Sequence, residues 1–325
     1  MGKEINEFTE TLLTRELLTD AQMKSIKQYD ALGIFSLHNE LRFLLYLGVL
    51  LFTSGIGTLV YKNIDSIGHV AVLCLLLLLI GIGFYFSFKK AKGFSKDEVL
   101  FDNPVYDYIV LLCTILSCVF IGYLQYQYQV FGYGLSSLVC SLVGFFCAYY
   151  FDNKSALSIG ITGLATFIGI SITPKALLEN EIYNNPSLIY YGIALGGFLL
   201  LWAEYSERIS LKKHFHLLFL TFALHLIGIC SIAALFETYW YIFVFLLAAT
   251  LYYFYKISYV IGSIFLFVFT VLYGYIGFNI ILFKLIDFID FSDFWQLLTI
   301  LTPVYFIGSI FGFIRLIKHF NNEKS

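Results

Sequence analysis

VAVLCLLLLLIGIGFYFSF, residues 70–88, carries no charge, and KKAK follows it at once at residues 89–92. About 20 apolar residues in an α-helix cross the hydrocarbon core of a bilayer. The stretch therefore reads as a membrane span, and Lys89, Lys90 and Lys92 mark the end that stays in the cytoplasm. Working outward, nine further stretches can be drawn at 41–61, 106–124, 134–150, 155–173, 187–205, 215–236, 238–255, 257–283 and 297–314. With ten spans, 17 of the 20 Lys and Arg residues fall on the side that holds both termini, leaving Lys62, Lys175 and Lys284 opposite. That bias predicts cytoplasmic termini and an all-α, polytopic integral membrane protein with about 10 transmembrane helices.

Composition points the same way. The chain is 59% hydrophobic and 13% charged, against about 25% charged in an ordinary soluble domain. A net charge of −2 and basic residues placed beside membrane ends exclude a nucleic-acid partner; the lysines suit anionic lipid of the bilayer instead. All six cysteines lie inside predicted spans, where Cys packs as a small polarizable side chain. Cys113 and Cys118, five apart, fall on different helix faces, so neither a disulfide framework nor a zinc site is expected.

Residues 1–40 are too polar for a signal peptide and are expected to remain on the mature chain as a cytoplasmic helical hairpin. Ile5, Phe8, Leu12 and Leu13 have helical apolar spacing, and Thr19-Asp20-Ala21-Gln22 reads as a capping box opening a second short helix to about Tyr29. Residues 41–320 form the bundle and 321–325 a cytoplasmic tail. Asp152-Asn153-Lys154 divides the fourth span from the fifth, and Lys256 the eighth from the ninth. Tyr149-Tyr150-Phe151 with Ile159-Gly160 recurs as Tyr252-Tyr253-Phe254 with Ile261-Gly262, which suggests a 2+4+4 organisation with parallel units at 106–205 and 213–314. Gly192-x-x-x-Gly196 and Gly308-x-x-x-Gly312 read as close helix-packing faces.

Leu17-Leu18-Thr19-Asp20-Ala21-Gln22 with Ile26, then Leu47-Gly48-Val49-Leu50-Leu51 and Gly55-Ile56-Gly57, closing on Lys62-Asn63-Ile64-Asp65-Ser66-Ile67-Gly68-His69, resembles the bacterial membrane family named domain of unknown function 2157. The likeness covers about residues 10–90, with Ile64 where the family's Asn-Trp-Asp-like turn has Trp. It implies residence in a bacterial cytoplasmic (inner) membrane and brings no activity with it.

Ionisable groups inside hydrocarbon are costly and so are functional candidates. His225, midway along the seventh span, could relay a proton or bind a polar substrate group, or bond a hydroxyl on a neighbouring helix. Glu204 has the i,i+4 spacing of an ion pair with Arg208. Asp107 suits the N-terminus of the third span. Asp287, Asp290 and Asp293 line one arc of an amphipathic surface segment and could instead offer oxygen ligands to a cation. Gln125-Tyr126-Gln127-Tyr128-Gln129 reads as an interfacial belt or a stacking surface. His214 and His216, two apart, make a poor metal pair, and Pro303 interrupts the tenth span.

No Walker loop, HExxH or nucleophile elbow appears, so no catalytic, cofactor-binding or metal residues are expected and an enzyme ranks third. The sequence favours a membrane scaffold or accessory subunit that docks a protein partner through residues 1–40. A small-solute or ion transporter with a pathway near His225 and Pro303 is the alternative. Oligomeric state, partner and substrate are not specified by these residues.

Overall fold

The computed structural model describes residues 19, 22–23, 38–172, 186–288 and 295–324. Among them are ten long helices: α1 (His38–Ile67), α2 (His69–Lys90), α3 (Val105–Tyr128), α4 (Tyr133–Phe151), α5 (Lys154–Ile172), α6 (Pro186–Arg208), α7 (His216–Ala234), α8 (Trp240–Ile261), α9 (Ile264–Phe288) and α10 (Trp295–Lys324). Seven of these, α2, α3, α4 and α6 to α9, are long and apolar enough to cross a membrane. The chain is an all-α, multi-pass membrane protein. Shorter apolar helical stretches run over Phe43–Leu59 and Lys154–Gly169.

The chain divides into two compact units, Met1–Thr58 and Leu59–Ser325. In the first, Gln22 Oε1 accepts from both the Thr19 backbone N–H and its hydroxyl at 2.9 Å, the backward-reaching half of the expected capping box. The remainder of the expected hairpin, including Ile5, Phe8 and Leu12, lies outside the described residues.

In the second unit one hydrophobic core is assembled from α3 through α9, with Val110, Cys147, Leu157, Leu199, Leu220 and Phe254 buried together. Among the described glycines the closest approach to a neighbouring backbone is between α4 and α5, where a Cβ on Gly144 would lie 2.6 Å from the Gly160 nitrogen. Ser141 seals that crossing by donating to the Gly160 carbonyl at 2.7 Å. The Gly192 and Gly196 face is likewise filled, by Cys230 and Ile227 of α7. All six cysteines are free thiols.

Four details differ from the sequence reading. Helix α8 passes through Lys256, whose ammonium lies 4.7 Å from the Tyr252 ring centre, and ends at Gly262, with φ of 69°. Glycine tolerates that left-handed geometry, whereas a lysine on an apolar helix snorkels without breaking it. Asn63 to Asp65 are helical rather than a turn, because Gly68, at φ 81°, is what separates α1 from α2. Pro303 sits inside α10 without ending it, as membrane helices tolerate a proline when neighbouring groups or a local adjustment satisfy the freed carbonyl. Gly308 and Gly312, expected to pack closely, have nothing within 4 Å of an added Cβ.

Candidate functional site

Three connecting segments that the charge bias assigns to one side are locked together at one end of the second unit. They are residues 91–104 between α2 and α3, the α4–α5 corner at Asp152 and Asn153, and residues 209–215 between α6 and α7. Asp152 closes α4 with φ of 60°, a conformation Asp adopts more readily than most residues. Its Oδ2 accepts from the Val99 N–H at 3.1 Å. Its Oδ1 faces Lys212 Nζ at 2.5 Å in an ionic contact and His214 Nε2 at 3.1 Å, neither of them an aligned hydrogen bond.

These three groups are withdrawn from solvent. Side-chain exposure is 0% for Lys212, 2% for Asp152 and 9% for His214. Lys212 reaches inward because its backbone turns left-handed, φ 53°, while its N–H donates to the Lys96 carbonyl at 2.7 Å. The Phe94 ring covers the ammonium at 5.2 Å. Asn153 completes the corner: its Nδ2 donates to the Asp107 carbonyl in the first turn of α3, and its Oδ1 caps the Ala156 N–H, both at 2.9 Å. Nearer the solvent, Lys154 pairs with Glu98 at 3.1 Å. Lys92 lies 2.7 Å from Asp102 and holds that carboxyl below its ordinary value.

Across the same α6–α7 connector, His216 and Glu204 form a second polar group. Glu204 and Arg208 do not pair among the described ion pairs; Glu204 Oε1 instead accepts from the Tyr253 hydroxyl of α8 at 2.5 Å. A phenol already beside the carboxylate replaces the longer reach of an arginine to it. His216 Nδ1 lies 3.2 Å from both Glu207 Oε2 and the Ala203 carbonyl. His214 and His216 thus serve different clusters, as their spacing requires.

His225 lies farther along α7 in an aromatic shell. Its Nδ1 meets the Tyr273 hydroxyl at 2.6 Å, and Phe269 and Phe265 stand edge-on to the ring. A cavity of about 480 Å³ lies elsewhere, between α3, α4 and α5, lined in part by Gln125, Ser136, Cys140, Thr162 and Thr166. Neither His225, Glu204 nor Pro303 lines it. Gln125 is buried, and its Oε1 accepts from the Phe131 and Gly132 N–H groups, so it shapes the α3–α4 turn, while Tyr126 and Tyr128 of the same stretch are exposed. Asp287 is in the last turn of α9, while its side chain and the whole of Asp290 and Asp293 lie outside the described residues.

The matched family covers part of this assembly. Residues 10–157 match the family described as predicted membrane protein, DUF2157. The DUF2157 match extends past the hairpin and first two helices that carry the resemblance in the sequence, and it takes in Asp152 and Asn153 while Lys212 and His214 lie beyond it. No curated protein and no solved structure matches the chain.

Proposed function

We propose that the protein is a membrane scaffold or accessory subunit of the bacterial cytoplasmic membrane, crossing it ten times with both termini inside, and docking a partner protein through its N-terminal hairpin. The observation that carries this reading is the buried Asp152, Lys212 and His214 cluster. A buried ion pair contributes little net stability, because desolvation offsets most of its Coulomb attraction. What such a pair supplies here is a fixed arrangement of three connectors, a rigid polar end of the second unit that suits a docking protein.

Transport by two rocking four-helix units fits the packing less well. The core runs without a break through α3 to α9, and the α6 with α7 pairing sits between the two units. The Tyr253 to Glu204 bond ties α8 to α6 at the same end. His225, the anchor of the transport alternative, is half-buried against three aromatic rings and lines no part of the cavity.

The test is purification of the native full-length protein in mild detergent beside a form lacking residues 1–30, with bound proteins identified by mass spectrometry. A stoichiometric partner that is lost on truncation, and kept by His225→Ala, is the expected result. A single species without partners, combined with solute uptake abolished by His225→Ala, would overturn it.

A further inference from the structure

From the geometry at the α6–α7 corner we infer that Glu204, Glu207 and His216 form a binding site for one divalent transition-metal ion of the zinc class. Nothing in the spacing of the sequence announces it, because His216 is separated from the two carboxylates by the end of α6 and the whole connector. Folding brings one ligand atom from each residue within 4.8 Å of the others. Glu204 and Glu207 are three apart on the last turns of α6, so both carboxylates leave the same helix face. His216 opens α7 and turns its ring back toward them, with Nδ1 3.2 Å from Glu207 Oε2.

The surroundings match a ligand set more closely than an incidental ion pair. Ligating carboxylates and imidazoles are characteristically oriented by a further hydrogen bond. Here the Tyr253 hydroxyl donates to Glu204 at 2.5 Å, whereas the Ala203 carbonyl, 3.2 Å from His216 Nδ1, is a contact of the ligating nitrogen that an ion would displace. The His216 side chain is 11% exposed and that of Glu207 53%, so the imidazole is held while one ligand remains open to an ion arriving from water. One imidazole with two carboxylates suits zinc, manganese or ferrous iron; calcium and magnesium prefer oxygen alone, and copper(I) prefers sulfur. Three protein ligands leave a position for water. Bound there, the ion would staple the end of α6 to the start of α7. The Nδ1 nitrogen must give up its proton or its present contacts to take the metal, so binding weakens as the pH falls.

The site stands apart from the docking reading and has its own test. The full-length protein in detergent, stripped with chelator, is titrated with zinc by calorimetry and with cobalt(II) by visible absorption. Saturable uptake of a single ion is expected, with a cobalt spectrum of nitrogen and oxygen ligation and a higher unfolding temperature when zinc is present. Glu207→Gln, at a largely exposed side chain, and His216→Ala should each weaken uptake about tenfold or more, and Tyr253→Phe about tenfold through the orientation of Glu204. Asp102→Asn, an exposed carboxylate elsewhere at the same end, should leave the titration unchanged. No saturable uptake, or uptake that both Glu207→Gln and His216→Ala leave intact, would overturn the proposal.

Discussion

Lys212 is the most demanding of the described residues, an ammonium with 0% side-chain exposure whose counter-charge is one carboxylate shared with His214. Removing one partner of a buried pair strands the other charge, at a cost of about 3–5 kcal/mol. Lys212→Met and Asp152→Asn should therefore each lower the detergent unfolding temperature sharply. Asn is the informative replacement at position 152 because it tolerates φ 60°. The double variant should lose less than the sum of the two, by more than about 0.5 kcal/mol, since no stranded charge remains; strict additivity would mean that the two groups do not act as a pair. Tyr273→Phe is a milder change, expected to cost about 0.6 kcal/mol, the mean of interhelical hydrogen bonds in membranes. A much larger loss would mark the His225 contact as more than packing. These residues were unevenly legible: His225 stands out as a lone ionisable group in an apolar run, but Asp152 reads only as a helix break and Lys212 only as a topology marker. Their pairing depends on two left-handed backbone turns and on connectors distant in sequence, which periodicity does not report.

The helices themselves were far more legible than their contacts. Hydropathy and length locate α2 to α4 and α6 to α9 because each must supply its own backbone hydrogen bonds within hydrocarbon. Which glycine lies at a crossing is set by how two helices meet, so the sequence motif at Gly308 and Gly312 misleads while the isolated Gly144 meets the backbone of Gly160 more closely than any other described glycine meets a neighbouring backbone. A methyl group decides between them. Gly144→Ala would drive a Cβ to 2.6 Å from the Gly160 backbone nitrogen, and neither backbone can rotate away. Such overpacking should cost about 1–3 kcal/mol. Gly308→Ala and Gly312→Ala meet open space, and each should gain up to about 1 kcal/mol of helix propensity. Thermal unfolding of the three variants in one detergent checks the contrast; a destabilised Gly308→Ala would reveal a neighbour on α10, from another copy or a partner.

At the scale of the whole molecule, the charge distribution and the packing support one another through particular atoms. Lys96, Asp152, Lys154 and Lys212 belong to segments that the positive-inside rule assigns to one side, and they meet through the Lys212 to Lys96 backbone bond, the Lys212 to Asp152 pair and the Lys154 to Glu98 pair. Connectors at a common end of an antiparallel bundle must face a common compartment. The direction of that end is open to experiment with single cysteines at exposed positions, in a chain whose six native cysteines are replaced. Asp97→Cys, in the α2–α3 connector, and Asn321→Cys, near the end of α10, should resist a membrane-impermeant maleimide in intact cells and react after lysis. Val130→Cys, in the α3–α4 turn, should react in both. Reversal of all three would invert the protein in its membrane while leaving the bundle unchanged. Labelling of Asn321→Cys in intact cells with Asp97→Cys still protected would instead require an odd number of crossings between them, and with it a different course for α5 or α10, the two helices after Asp97 that fall outside the seven apolar spans.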